Sequence, residues 1–136
     1  MPRTFKLLAV MILLGAVSAK AQDNSRRIKD ALPHGINLNE AKLVEIRDEA
    51  GSVVLAGTFS NSKADLRSAT AALKAKGLAE IEIEKDGAAT KQEIEVEVTN
   101  LLALTTFKLF VDGKEVAKFT TNKSGRRELK YTRKDP

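Results

Sequence analysis

The chain has 136 residues, of which 43% are apolar and 30% charged, with five Phe, one Tyr, one His, no Trp and no Cys. This length suits one domain, and the few aromatic residues predict a core built mainly from Val, Ile, Leu and Ala. Without cysteine the chain can form neither a disulfide nor a thiol nucleophile. A single histidine also excludes a metal site that needs several imidazoles.

The first 21 residues have the pattern of a secretory signal peptide. A positively charged start precedes the apolar run 7–17, and Ala19-Lys20-Ala21 fits the small-x-small rule, so we expect cleavage after Ala21. The run is shorter than the roughly 20 apolar residues of a transmembrane helix, which predicts no transmembrane anchor. Removing residues 1–21, which carry three bases and no acid, lowers the formal net charge from +5 to +2. We therefore predict a secreted or periplasmic protein.

Both ends of the mature chain are polar. Residues 22–41 lack a hydrophobic period and contain the only histidine, His34, so we predict a flexible leader that adds at most one short edge strand near 36–38. The last residues, 133–136, are predicted to be a frayed tail. The folded β domain is accordingly predicted to span 42–132.

The clearest structural pattern is the run 107–121, FKLFVDGKEVAKFTT, which predicts a strand, a turn and a strand. Asp112-Gly113 is a strong hairpin signal because both residue types tolerate a tight turn. A bulged or three-residue loop places the apolar side chains on one face, whereas a strict two-residue loop brings Lys118 to that face. We therefore predict the bulged or three-residue loop, with these residues on the shared face: Phe107, Leu109, Val111, Ala117 and Phe119.

Alternating apolar and charged residues predict further antiparallel strands. The predicted hairpins pair 43–48 with 53–60 and 78–85 with 91–99, and the loop 100–105 and the turn 122–125 flank the central hairpin. A last strand is predicted at 126–132. About seven or eight strands at this spacing are typical of an all-β fold, and we predict an antiparallel β-sandwich of immunoglobulin-like or Greek-key type.

The segment 63–76 is ambiguous. Ser62 with Asp65 resembles a capping box, and Leu66, Ala69 and Leu73 have helical spacing, which favours one short helix. The strands predicted on both sides favour another strand instead. Both interpretations stay open.

Two charged surfaces are the candidate sites. Pairing of 78–85 with 91–99 crowds six carboxylates onto a possible acidic face: Glu80, Glu82, Glu84, Glu93, Glu95 and Glu97. A possible basic face near the C-terminus contains Lys118, Arg126, Arg127, Lys130 and Arg133. The acids could hold Ca²⁺ or simply form a solvated surface that blocks edge aggregation. The bases could bind a polyanion or complement the molecule's own acidic sheet.

No motif predicts catalysis, a metal or another cofactor. The chain lacks a Gly-rich phosphate loop and a spaced set of zinc or iron ligands. Nucleic-acid binding would normally add exposed aromatic residues for base stacking, and Tyr131 is the only aromatic residue near the basic end, so we predict no nucleic-acid partner. We predict a non-enzymatic module that binds an envelope protein, a glycan or an envelope surface. A calcium- or polyanion-binding protein and a small hydrolase with an unrecognised carboxylate pair remain alternatives.

The run 93–131 contains a strand ending at Asn100-Leu101, a hairpin of the form TTFxLFVDGxxVxxFTT, and an Asn-x-x-Gly turn at 122–125. This pattern resembles small exported bacterial proteins of uncharacterised function. The resemblance implies an all-β sandwich and carries over no catalytic residue. Arg126-Arg127 makes this chain more basic than the pattern requires.

Overall fold

The structure is a computed structural model that describes residues 27–70 and 74–136. The predicted signal peptide, its cleavage site at Ala21 and the first residues of the predicted leader lie outside the described residues. Regular structure in the described part consists of one 3₁₀ turn, Leu38–Glu40, and nine strands. The strands are β1 (Arg27–Ala31), β2 (Leu43–Asp48), β3 (Val53–Thr58), β4 (Lys63–Ser68), β5 (Lys76–Asp86), β6 (Ala89–Thr99), β7 (Thr106–Val111), β8 (Lys114–Thr120) and β9 (Arg127–Asp135).

The nine strands form one sheet in the order β1-β9-β6-β5-β4-β3-β2-β7-β8, and this sheet curls into a half-barrel. All neighbouring strands are antiparallel except β1 and β9, which are parallel. The all-β prediction is confirmed. The two-sheet sandwich of immunoglobulin-like type is not confirmed, because the described strands hydrogen-bond into a single mixed sheet, and they number nine rather than seven or eight.

The inner face of the half-barrel carries the core. Alternation with period two turns every second side chain of the central strands inward, and many of these side chains are almost fully buried. The inward residues on the central strands include Val44, Ile46, Leu55, Leu66, Ala79, Ile94, Val96, Val98, Leu109, Leu129 and Tyr131. Aliphatic residues dominate this set, as the composition predicted.

The hairpin 107–121 has the predicted bulge. Asp112 and Gly113 occupy a two-residue turn with φ of 49° and 80°, and the register shifts by one residue beyond Leu109. This shift pairs Phe107 with Phe119, whose rings lie 6.0 Å apart, so both face the core. The bulge also buries Val116, which the parity argument did not place inside.

The other two predicted hairpins are also present. Strand β2 pairs with β3, and β5 pairs with β6 over eleven residues each, longer than the predicted strands 78–85 and 91–99. The turn 122–125 is built as expected, because the Asn122 side chain accepts hydrogen bonds from the backbone N–H groups of Ser124 and Arg126.

Residues 63–70 and 74–76, the described part of 63–76, contain no helix, so the short-helix interpretation is wrong for these residues. Strand β4 covers Lys63–Ser68, with Ala64 and Leu66 buried at period two, and β5 begins at Lys76. Residues 71–73 lie outside the described residues. Pairing of β4 with β3 and β5 outweighs the local helical spacing.

The predicted flexible leader belongs to the folded domain from residue 27 onward. Strand β1 pairs with β9, and Leu32, Ile36 and Leu38 are at most 3% exposed because they cover the inner face of the sheet. Only tertiary contacts order this segment, since its sequence has no hydrophobic period. The edge strand therefore lies before the predicted position 36–38, which holds the start of the 3₁₀ turn instead.

The predicted frayed tail is also part of the fold, because β9 continues to Asp135 beside β6. The buried amide of Gln92 accepts a hydrogen bond from the Leu38 N–H at 2.7 Å and donates one to Asp135 at 3.3 Å. The Arg133 guanidinium donates to the carbonyl oxygen of Pro33. These bonds join the first and last described segments across the end of the half-barrel.

Candidate functional site

The six predicted acidic residues lie along β5 and β6 on the outer face of the sheet. The register places Glu80 directly opposite Glu95, and Glu82 directly opposite Glu93. Directly opposed like charges destabilise a sheet unless cations neutralise them. The sequence predicted this crowding of carboxylates, and the structure shows which side chains of the neighbouring strands β4 and β9 surround them.

Lysines flank the crowded carboxylates on both neighbouring strands. Lys63 of β4 lies opposite Glu80, and Lys130 of β9 lies opposite Glu95. Across β4, β5, β6 and β9, one row of side chains therefore has the order Lys, Glu, Glu, Lys. The Nζ atom of each lysine lies 3.5 Å from a carboxylate oxygen of the glutamate beside it. The two central carboxylates each have a cation on their outer side.

Glu93 is the most buried member of the acidic face, with a side chain only 8% exposed. Its carboxylate lies 3.7 Å from the ammonium groups of both Lys91 and Lys130, and the Thr132 hydroxyl donates to it at 3.5 Å. Lys130 thus bridges Glu93 and Glu95. Removing one partner of a buried ion pair costs far more than removing an exposed one.

We expect Lys130→Met to lower the free energy of unfolding by about 1–3 kcal/mol, because it leaves the buried Glu93 carboxylate with one cation fewer. The matched control is Lys63→Met, whose partner Glu80 is 47% exposed, and here the expected loss is under about 0.5 kcal/mol. Urea denaturation followed by far-ultraviolet circular dichroism measures both. Equal losses in the two variants would contradict a special role for Lys130.

The predicted basic residues do not form one face. Lys118 lies on the edge strand β8, 4.0 Å from Glu49, whereas Lys130 lies on β9 among the glutamates. Arg126 contacts Glu97 at 3.4 Å, and Arg127 donates to the carbonyl oxygen of Thr120. The fifth member, Arg133, donates to Pro33 and Asp135. The structure therefore brings two of these bases, Arg126 and Lys130, onto the predicted acidic face.

The outer face offers a shallow depression rather than an enclosed site. It has a volume of about 170 Å³ beside Leu78, and its rim mixes both signs of charge: Arg27, Glu80, Glu95, Glu97, Glu128 and Lys130. Across residues 27–70 and 74–136, no group of three His, Cys, Asp or Glu side chains could hold a metal ion. Four of the six glutamates of the acidic face lie 3.4–3.7 Å from a lysine or arginine: Glu80, Glu93, Glu95 and Glu97.

A different surface stands out at one end of the half-barrel. We name it the leucine tip and define it as residues 74–76, 100–105 and 121–125. Leu102 and Leu104 are 72% and 66% exposed there, the two most exposed large apolar side chains in the described part of the chain. Sequence analysis treated 100–105 only as a loop, although three leucines in a connection between two strands were a visible signal.

Hydrogen bonds hold the segments of the leucine tip together. The N–H groups of Leu101 and Leu104 donate to the carbonyl oxygens of Gly125 and Asn122 at 3.1 and 3.2 Å. The buried hydroxyl of Thr121 donates to Leu102 O and accepts from the Thr105 N–H. These bonds tie the loop 100–105 to the turn 122–125.

Leu104 has an unusual backbone conformation, with φ of 53°. A bulky side chain disfavours this left-handed region by roughly 1–2 kcal/mol, because its Cβ approaches the following carbonyl oxygen. Strained residues persist only where surrounding contacts hold them, and they concentrate at functional segments. An exposed and strained leucine in a well-bonded loop therefore marks this tip as a candidate binding site.

All charged side chains of the leucine tip are positive. Its three segments contain Lys74, Lys76 and Lys123 and no Asp or Glu. Contacts link all three segments, because the Asn100 side chain donates to the Lys74 carbonyl oxygen at 3.4 Å and Lys76 pairs with Thr99. The tip thus combines exposed leucines with cations.

Neither protein-family models nor curated protein sequences nor solved structures produced a match to this chain. The described residues also include no helix with the length and apolar character required to cross a membrane.

Proposed function

We propose that this protein is an exported, non-catalytic module that binds a component of the cell envelope through its leucine tip. The observation that carries the proposal is the pair of exposed leucines, Leu102 and Leu104, on a hydrogen-bonded loop without acidic residues. Burying a leucine side chain is worth about 1.5–3 kcal/mol, so two of them supply substantial binding energy. A loop that is already ordered loses little conformational entropy on binding.

The surroundings of the glutamates support a structural role for the acidic face. Glu93 and Glu95 contact Lys130, and Glu97 contacts Arg126, so these carboxylates stabilise the sheet by pairing with bases from the C-terminal part of the chain. In the proposal they are neither catalytic groups nor calcium ligands. The proposed function also includes export: residues 1–21 are expected to be a signal peptide, and the mature protein is expected to be secreted or periplasmic.

The proposal is tested with tagged mature protein, residues 22–136, and an envelope fraction from the source cell. We expect the unmodified protein to be retained and the double variant Leu102→Ser/Leu104→Ser to bind at least tenfold more weakly, because it loses most of the apolar contact area. The matched control is Leu78→Ser, which removes a leucine that is 40% exposed on the outer face instead. This control should bind like the unmodified protein.

Two outcomes would overturn the proposal. Equal retention of the double variant and the unmodified protein would show that the leucine tip is not the binding surface. Loss of retention in Leu78→Ser alone would assign binding to the depression on the outer face. Thermal unfolding of every variant establishes that each is folded under the binding conditions.

A further inference from the structure

The leucine tip has the chemistry of a surface that enters the boundary of a lipid bilayer. Peripheral segments of this kind bury apolar side chains by about 5–10 Å at the level of the headgroups, while basic side chains stay in the polar layer. Leu102 and Leu104 are exposed enough to enter this layer. Long lysine side chains can lie along an apolar surface and keep the ammonium group in water, which fits Lys74 and Lys76 beside the loop.

Half of the loop's backbone polar groups are already paired inside the protein. Unsatisfied peptide groups are costly in the bilayer interior, because lipid chains offer no hydrogen bonds. Within 100–105, the N–H groups of Leu101, Leu104 and Thr105 and the carbonyl oxygens of Leu102, Ala103 and Thr105 have partners inside the protein. The N–H groups of Leu102 and Ala103 and the carbonyl oxygens of Leu101 and Leu104 have no partner among the described residues. The loop would therefore stay at the hydrated level of the headgroups, where water satisfies these groups, with only the leucine side chains inserted.

Charge complementarity identifies the kind of surface. The tip carries three lysines without an acid, whereas the outer face of β5, β6 and β9 alternates both signs. Each lysine near an anionic leaflet adds favourable electrostatic energy that salt weakens.

We propose that the leucine tip binds anionic phospholipid bilayers, with Leu102 and Leu104 inserted at the headgroup boundary and Lys74, Lys76 and Lys123 beside the phosphates. This inference rests on the proposed envelope-binding function and names the component that is bound. A single small apolar anchor with a few cations produces reversible attachment rather than permanent anchoring. The protein would thus move between the aqueous phase and the membrane surface.

The test is flotation of the mature protein, residues 22–136, with two kinds of protein-free vesicles. One kind is rich in phosphatidylglycerol, and the other contains only phosphatidylcholine. We expect the unmodified protein to float with the anionic vesicles and to bind them at least tenfold more tightly than the zwitterionic vesicles. Raising the salt concentration should weaken this binding, because the electrostatic part is screened.

Two sets of variants separate the apolar and the ionic contributions. Leu102→Ser/Leu104→Ser should bind both kinds of vesicle at least tenfold more weakly. Lys74→Gln/Lys76→Gln/Lys123→Gln should lose roughly a hundredfold on anionic vesicles and little on zwitterionic ones. Lys29→Gln/Lys108→Gln/Lys118→Gln removes the same net charge away from the tip and should keep most of the binding.

The outcomes distinguish the lipid proposal from the broader function. In one outcome, the leucine and lysine variants bind vesicles as the unmodified protein does, or no protein binds vesicles, while retention on the envelope fraction still depends on Leu102 and Leu104. This outcome overturns the lipid proposal and indicates that a protein or glycan occupies the tip. If both assays are insensitive to these leucines, the envelope-binding function fails as well. Competition by glycerol phosphate at low concentration would indicate recognition of a free headgroup, and it would also overturn binding to a bilayer surface.

Discussion

Replacing Gly125 by alanine is expected to lower the free energy of unfolding by about 3 kcal/mol. Gly125 has φ of 72°, which is strained for any residue with a Cβ atom. An added Cβ would also collide with the carbonyl group of Leu101, a backbone group that cannot move without disturbing the leucine tip. Strain and steric overlap of this kind each cost about 1–3 kcal/mol.

Gly113→Ala is the matched control for this prediction. Gly113 also has a positive φ, 80°, but an added Cβ there meets nothing within 4 Å. The expected loss in the free energy of unfolding therefore comes only from the positive φ and is about 1 kcal/mol. Urea denaturation followed by far-ultraviolet circular dichroism measures both variants, and equal losses would contradict the close approach of Gly125 to Leu101.

The second large effect concerns the only tyrosine. Burial, together with the negative charge of Asp30 opposite it in the neighbouring strand, raises the pKa of Tyr131 from 10.0 to about 12. The unfolded chain loses this proton near pH 10, whereas the folded protein keeps it until about pH 12. Stability is therefore complete below the unfolded pKa and falls as the pH rises through this window, by up to about 3 kcal/mol.

Tyr131→Phe should remove this alkaline loss. The difference in unfolding free energy between the variant and the unmodified protein should shift in favour of the variant by about 2–3 kcal/mol between roughly pH 9 and pH 12. Comparing the two proteins cancels the titration of the lysines. Because the chain has one tyrosine, the near-ultraviolet absorbance of tyrosinate reports its pKa directly. A native titration midpoint near 10 would contradict the prediction.

At neutral pH the same substitution should be nearly neutral or slightly stabilising. The Tyr131 hydroxyl is buried and finds no hydrogen-bond partner among the described residues. An unsatisfied buried hydroxyl costs about 1–3 kcal/mol, so its removal offsets the lost packing of one oxygen atom. A loss above about 2 kcal/mol at neutral pH would indicate a partner for this hydroxyl.

Local sequence patterns determined much of the sheet. Alternation in β5 and β6 predicted both strands and the inward positions of Ile94, Val96 and Val98, because neighbouring side chains point to opposite faces. The Asp112-Gly113 turn and the parity of Phe107 and Phe119 predicted the bulged hairpin. These features depend on residues close together in the chain, so the sequence alone contains the information.

The candidate sites were only half predictable. The six glutamates on one face followed from strand alternation, and complementarity with the molecule's own basic residues was one open interpretation. The contact of Lys130 with Glu93 and Glu95 required knowing that β9 lies beside β6. The leucine tip depends on the approach of Gly125 to Leu101, two residues in different connections.

The sequence by itself determined an all-β chain, its main hairpins, the aliphatic core and the charged outer face. Tertiary structure alone decided that the strands form one curled sheet, that β1 and residues 133–135 belong to it, that 32–41 cover its inner face, and that β4 is a strand. The physical reason is the range of the interactions. Alternation and turn chemistry act between near neighbours, whereas strand order, neutralisation of the glutamates and exposure of Leu102 and Leu104 depend on which distant segments meet.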